Sequence, residues 1–140
     1  MKRKHKSCWR SGLEEGVAKQ LDKEKITYDY EPSDGKIVYT IPETEHTYTP
    51  DFYITTKSGK TVIIETKGLW DYDDRYKHLL IKQQYPNLDI RFVFTRSKQR
   101  IRKGSKTSYA DICKGLGRGP FKGITWPFAD KHIKRDWLEE

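Results

Sequence analysis

A chain of 140 residues with 28 Lys and Arg against 20 Asp and Glu, a net charge of +8, is long enough for one domain with a real core. The basic excess calls for a polyanionic partner, nucleic acid or an anionic membrane surface, and no apolar run approaches the roughly 18 residues that a spanning helix needs. No signal-type segment opens the chain and neither Cys8 nor Cys113 has CxxC or His-rich spacing, so the expectation is a soluble, cytoplasmic protein without zinc or disulfides.

The first ten residues, MKRKHKSCWR, form a basic arm with no helical or strand period. Lys2, Arg3, Lys4, Lys6 and Arg10 are candidate phosphate contacts, set against the plainer reading of a solvated, flexible terminus. Residues 11–140 read as a single domain. SGLEEGVAKQLDKEK predicts a helix: Ser11 suits the N-cap, Glu14 completes a capping box, and Leu13, Val17 and Leu21 mark one apolar face. ITYDYE and KIVYTI predict strands joined by the turn PSDG. PETEHTYT, bracketed by Pro42 and Pro50, reads as an extended connector with little reason to fold back.

Residues 51–67 predict a hairpin, DYDDRYKHLLIKQQYP a second helix, and DIRFVF a buried strand. The basic stretch after it, residues 95–123, has Asp111 as its sole acid and reads as loops around a short helix near Ser108–Leu116. The last fifteen residues are amphipathic, with Trp126, Phe128, Ile133 and Trp137 available for packing. Helices alternate with strands, so the class is α/β with a small mixed sheet flanked by helices.

The stretch TPDFYITTKSGKTVIIETKGLW carries the chemistry. Side chains alternate faces along a strand, so Glu65 and Lys67 point one way and Thr66 the other. If Lys57-Ser58-Gly59 is a three-residue loop with Gly59 left-handed, Thr56 faces Lys60 and Asp51 falls opposite Glu65. Residues so paired have Cβ atoms about 5 Å apart, and a loop one residue shorter puts Asp51 on the wrong face. Two such carboxylates repel unless one is protonated or a cation joins them. Oxygen donors select Mg²⁺ or Mn²⁺, and a neighbouring lysine suits phosphodiester hydrolysis. The competing reading is a chance ExK forming a plain ion pair.

Pro50-Asp51 followed by Glu65-Thr66-Lys67 matches the PD-(D/E)xK pattern of restriction-endonuclease-like nucleases. The ordered stretches RSGLE, HTYTPDF, ETKGLW, DDR, KHLLI, LDIRFVF, KGS, TSY and FADK resemble the phage endonuclease I family of Holliday-junction resolving enzymes. That resemblance implies a restriction-endonuclease-like fold and a metal-dependent nuclease for four-way and other branched DNA. It implies two Mg²⁺ or Mn²⁺ ions per site, with Asp51 bridging both, Glu65 and the Thr66 carbonyl holding one, and Glu14 the other. Lys67 would act on the attacking water and the scissile phosphate. The family pattern also implies a homodimer in which residues 11–41 are exchanged through connector 42–50, giving composite active sites.

Other residues carry weaker signals. His46 and His78 read as connector and helix-surface histidines in preference to bases, and Trp70, Trp126 and Trp137 as packing; Trp9, in the basic arm, is the best candidate for stacking on exposed bases. Arg75 and Lys77, just beyond the candidate active strand, are candidate phosphate contacts. Arg96, Lys98, Arg100, Arg102, Lys103 and Lys106 are candidates for a surface that binds a duplex arm. Asp29 is a further acid of low weight, and the 114–127 stretch fits the family pattern poorly. Nothing calls for a nucleotide cofactor. Two alternatives stay open: a branched-DNA-binding module without turnover, and a nuclease that reads sequence like a restriction enzyme.

Overall fold

The computed structural model describes residues 9–41 and 44–140. Lys2, Arg3, Lys4, Lys6 and Cys8 lie outside the described residues, as do Pro42 and Glu43. In chain order the elements are α1 (Gly12–Lys23), β1 (Tyr28–Tyr30), β2 (Ile37–Ile41), β3 (Thr44–Tyr48), β4 (Phe52–Thr55) and β5 (Thr61–Lys67). There follow α2 (Tyr72–Gln84), β6 (Ile90–Phe94), α3 (Tyr109–Cys113), β7 (Lys114–Leu116), β8 (Lys122–Thr125), β9 (Phe128–Asp130) and α4 (Arg135–Glu139).

A five-stranded mixed sheet in the order β1-β4-β5-β6-β9 forms the centre. β1, β4 and β5 run antiparallel, whereas β5, β6 and β9 are parallel. Both faces are covered, which is why β5 and β6 read as nearly continuous apolar runs. Ile63, Phe92 and Phe94 face α2 and α3 with Trp70, Leu79, Ile81 and Trp126. Val62, Ile64 and Val93 face the opposite layer, where Val17 and Leu21 of α1 meet Trp137 and Leu138 of α4. The period-two alternation along each strand thus sorts its side chains into two cores. Among the described residues no helix is long and apolar enough to cross a membrane.

The β4–β5 hairpin has the expected register. Phe52 pairs with Ile64 and Thr55 with Thr61, and the Thr56 amide donates to the Lys60 carbonyl at 2.8 Å. Gly59 sits at φ +92°, the left-handed position that a residue without Cβ takes cheaply. The loop is also tied to the C-terminus: the Lys57 and Ser58 amides donate to the carbonyls of Leu138 (3.1 Å) and Glu140 (2.9 Å).

Three expectations are corrected. PSDG does not close a hairpin, because β1 pairs with β4 while β2 pairs with β3 in a separate two-stranded sheet. The connector does fold back within this chain: β3 runs antiparallel to β2, from Ile41↔Thr44 to Ile37↔Tyr48. The polar run Thr44-Glu45-His46-Thr47 supplies a strand that exposes these four side chains and buries Tyr48. The 114–127 stretch is the β7–β8 hairpin in place of loop, with Gly115 and Gly123 at φ +84° and +78°.

Candidate active site

The site forms where α1, the end of β1, the β3–β4 junction and the carboxyl end of β5 meet. A cavity of about 690 Å³ opens there, its lining including Glu14, Glu31, Asp51, Glu65 and Lys67. Arg10, Lys36 and Lys77 line it as well, so acids and cations share one pocket.

Glu14 comes from the first turn of α1, where the helix dipole favours a carboxylate. Ser11 caps the helix, its Oγ accepting from the Glu14 amide at 3.1 Å. The Glu14 side chain does not turn back onto Ser11. Its Oε1 accepts instead from the Arg10 amide (2.9 Å) and the Tyr30 hydroxyl (2.6 Å). Only half of the expected capping box is formed, and Glu14 is left buried and aimed into the pocket.

Asp51 directly follows Pro50 and precedes the Phe52↔Ile64 pair, so continuing that register by one residue sets it opposite Glu65. Its carboxylate turns away from Glu65 to the next residue, since Thr66 offers two donors where Glu65 offers repulsion. Asp51 Oδ2 accepts from the Thr66 amide at 2.9 Å and from Thr66 Oγ1 at 2.7 Å. Burial, then Glu65, pushes the Asp51 carboxyl up to about 8, although both Thr66 bonds work the other way.

Glu65 is buried and accepts from the Tyr48 hydroxyl at 2.6 Å and the Asp51 amide at 3.2 Å. Burial and the adjacent Glu65 keep Tyr48 protonated, so it remains a donor. Lys67 Nζ lies 3.2 Å from Glu65 Oε2 and 2.7 Å from Asp74 Oδ2. Burial acts to lower the Lys67 pKa, but Glu65 and Asp74 outweigh it and hold the group as an ammonium. The oily strand therefore ends in charge because its last turns of pleat leave the core and enter this pocket. Glu65 and Lys67 share the side facing it.

Glu14 and Asp51 are brought together with a third acid that the sequence reading missed. One carboxylate oxygen from each of Glu14, Glu31 and Asp51 lies within 4.8 Å of the others. Asp29, the other acid at β1, is exposed and pairs with Tyr53. Glu31 follows β1 at φ +43°, a left-handed backbone uncommon for a residue with a Cβ, and its amide donates to the Asp51 carbonyl at 3.0 Å. That local reversal breaks the pleat, so strand parity could not have pointed to Glu31. Asp74 was missed for another reason: it contacts Lys67 from the first turn of α2, across a layer of the fold.

The remaining candidates divide. Arg96, Lys98, Arg100, Arg102, Lys103 and Lys106 are all exposed. The first five line one groove that contains no carboxylate among the described residues. Lys77 is at the pocket, paired with Asp74 at 3.1 Å. Arg75 is corrected: it is buried and its Nη1 donates to the Trp70 carbonyl at 2.6 Å, so it ties α2 to the end of β5 and is no surface contact. His78 is corrected too. It is fully buried between Tyr48 and Phe92, and burial with Lys67 and Lys77 nearby lowers its pKa well, keeping it neutral. Trp9 packs against Tyr30 at 4.5 Å and Phe52 at 6.2 Å.

Comparison with known proteins agrees with the motif evidence. Endonuclease I of Escherichia phage T7 is 46% identical over 133 residues, which span 95% of this chain and 80% of that protein. Endodeoxyribonuclease 1 of Enterobacteria phage T3 is 52% identical over 110 residues, covering 79% of this chain and 68% of that protein. The sequence profile described as phage endonuclease I matches residues 1–140. With the match extending over the whole chain, the protein belongs to the phage endonuclease I family.

Proposed function

We propose that the chain is a metal-dependent, structure-selective DNA endonuclease that resolves four-way and other branched junctions by hydrolysing phosphodiester bonds. The observation that carries this reading is one pocket holding Glu14, Asp51, Glu65 and Lys67, in a strongly basic member of an endonuclease family. The sheet, with its acids at the carboxyl end of β5, suits a restriction-endonuclease-like ancestry.

The donor set fits a divalent cation. Carboxylate oxygens of Glu14, Glu31 and Asp51 gather within ion-bridging distance, and among the described residues no thiol or imidazole lines the pocket, which favours Mg²⁺ or Mn²⁺. Asp51 and Glu65 with the Thr66 carbonyl would hold one ion, and Asp51 with Glu14 a second. When bound, such ions supply Lewis acidity at the phosphate and make water a better nucleophile. The chain's own part is positioning and charge. Thr66 orients Asp51, and Tyr48 and Lys67 orient Glu65. The Lys67 ammonium stands ready to donate to the attacking water or to the negative charge that develops as the phosphorus–oxygen bond breaks. The exposed cations from Arg96 to Lys106 would receive a duplex arm through its phosphates.

A cleavage assay on an immobile four-way junction and on its separate duplex arms tests this, each with Mg²⁺, Ca²⁺ or EDTA. Paired cuts near the branch point, with Mg²⁺ alone and on the junction alone, are the expected result. Junction binding without cutting in any metal would favour the binding module. Loss of cutting on scrambling the arm sequences would favour a sequence-reading nuclease.

The exchanged homodimer belongs to the same reading. Glu14 and Glu31 precede the β2–β3 connection while Asp51, Glu65 and Lys67 follow it, so opening that connection would pass the first group to a partner without altering the pocket. Mixing chains bearing Glu14→Gln with chains bearing Asp51→Asn distinguishes the cases. Exchange rebuilds one intact site per mixed dimer, and cleavage returns; without exchange every site keeps one lesion and the mixture stays inactive.

A further inference from the structure

Arg10 occupies an unusual place. Its guanidinium is paired with Glu31, and the same Nη2 lies 3.5 Å from Asp51 Oδ1 and 3.9 Å from Glu14 Oε2. These are the three acids whose oxygens cluster within 4.8 Å. One nitrogen of the chain therefore sits among the oxygens that a divalent ion would use. The side chain is nevertheless 67% exposed, so it reaches in from solvent and is not walled in by packing.

The backbone beneath it is anchored independently. The Arg10 amide donates to Glu14 Oε1 at 2.9 Å, and the preceding Trp9 ring packs on Tyr30 and Phe52. The guanidinium can thus swing away while the residue stays in place. Desolvation works against the charged guanidinium, but Tyr30, whose hydroxyl donates to Glu14 Oε1, and then the charges of Glu31 and Glu14 outweigh it and hold the group in place.

We propose that Arg10 is the built-in counter-cation of the Glu14–Glu31–Asp51 cluster, held there when no divalent ion is bound and displaced when one enters. This rests on the metal reading above and adds to it a competition. Without Arg10, three close carboxylates would repel one another and either take up protons or spread apart. With it, the pocket stays assembled, and an ion must displace a tethered cation to bind. The apparent metal affinity is then reduced by the fraction of time that Arg10 is out. A displaced guanidinium remains at the pocket, where it adds a positive charge for incoming phosphate.

The test is Mn²⁺ titration calorimetry on the full chain at fixed pH and salt, comparing wild type, Arg10→Gln, Arg10→Ala and Lys36→Ala. Lys36 lines the same pocket and is exposed, so its loss removes equal charge without freeing the cluster. Both Arg10 variants should bind Mn²⁺ about tenfold more tightly, the factor for a guanidinium that is home about nine-tenths of the time. Lys36→Ala should change binding much less. Melting temperatures supply a second readout: the Arg10 variants should melt below wild type in EDTA, and the gap should close in saturating Mn²⁺. Unchanged or weaker binding by both Arg10 variants would overturn the competition while leaving the metal site standing. Equal tightening by Lys36→Ala would reduce it to a general field effect and overturn it too. No Mn²⁺ binding by any of the four proteins would remove the metal reading and this inference together.

Discussion

Asp51→Asn should cut the rate of junction cleavage by at least about a thousandfold while junction binding survives, because several kcal/mol of charge stabilisation at the phosphate would go with the carboxylate. The substitution is nearly isosteric, and an Asn oxygen can still accept from the Thr66 amide and hydroxyl. Loss of rate would therefore report lost charge and not a lost loop. Single-turnover cleavage beside a gel-shift titration on the same junction separates the two quantities. A variant that keeps more than a tenth of wild-type rate would remove Asp51 from the chemistry.

The same variant should reveal what the carboxyl costs the metal-free fold. Burial and Glu65 lift Asp51 from an ordinary 3.8 to about 8 in the folded chain. An acid whose pKa rises on folding is neutral in both states at low pH and brings no penalty there. As pH climbs from about 4 toward 8 the unfolded chain ionises first, so the folded state loses relative stability, by a few kcal/mol once pH passes 8. Asp51→Asn lacks that slope. In EDTA, then, its stability advantage over wild type should be absent near pH 4 and largest above pH 8, read by urea unfolding across the range. A flat difference would mean that Asp51 titrates alike in the folded and unfolded chains and is not lifted by burial. For wild type, saturating metal should flatten the slope, since a cation among these carboxylates favours the ionised form.

Trp70→Ala should destabilise the protein by about 3–5 kcal/mol, lowering the melting temperature by about 10–15 °C. Trp70 is fully buried three residues beyond Lys67, with ring centroids 4.8 Å from Phe92, 5.4 Å from Phe94 and 5.6 Å from Trp126. Its amide donates to the Tyr109 hydroxyl at 3.1 Å, and its carbonyl accepts from Arg75. The residue thus clamps the exit of β5 against α2 and α3. Trp70→Phe should cost far less, because the indole Nε1 has no hydrogen-bond partner among the described residues and the aromatic contacts are partly kept. Thermal and urea melts on both variants decide it. Equal losses would mean that shape at this position matters more than volume.

The hairpin register shows how much of the site was legible in the sequence. Thr56-Lys57-Ser58-Gly59-Lys60 sets a loop whose length is local information, and strand parity carries it outward to place Asp51 opposite Glu65. The helix start at Ser11, the apolar faces of α1 and the buried β6 follow equally from short-range pattern. Asp51, Glu65 and Lys67 follow from motif and register, Glu14 and Thr66 from the family resemblance, and all five line one cavity.

What the sequence could not determine lies wherever distant segments or local reversals decide the outcome. The pairing of β1 with β4 and of β2 with β3 is a choice among strands of similar pattern, made by which pairing buries Tyr28, Tyr30 and Tyr48. Glu31 enters the cluster through a left-handed residue that no parity rule anticipates. Arg75 and His78 looked like helix-surface residues, because α2 has polar residues on most sides; packing against Trp70, Tyr48 and Phe92 is what buries them. Short-range pattern determined α1, α2, the β4–β5 hairpin and β6 with the Pro-Asp and Glu-Thr-Lys motif, since turns and alternation act over a few residues, but not β3 or the β7–β8 hairpin. Tertiary packing alone decided which charges meet, because Coulomb and hydrogen-bond energies depend on through-space distances that the order of residues does not contain.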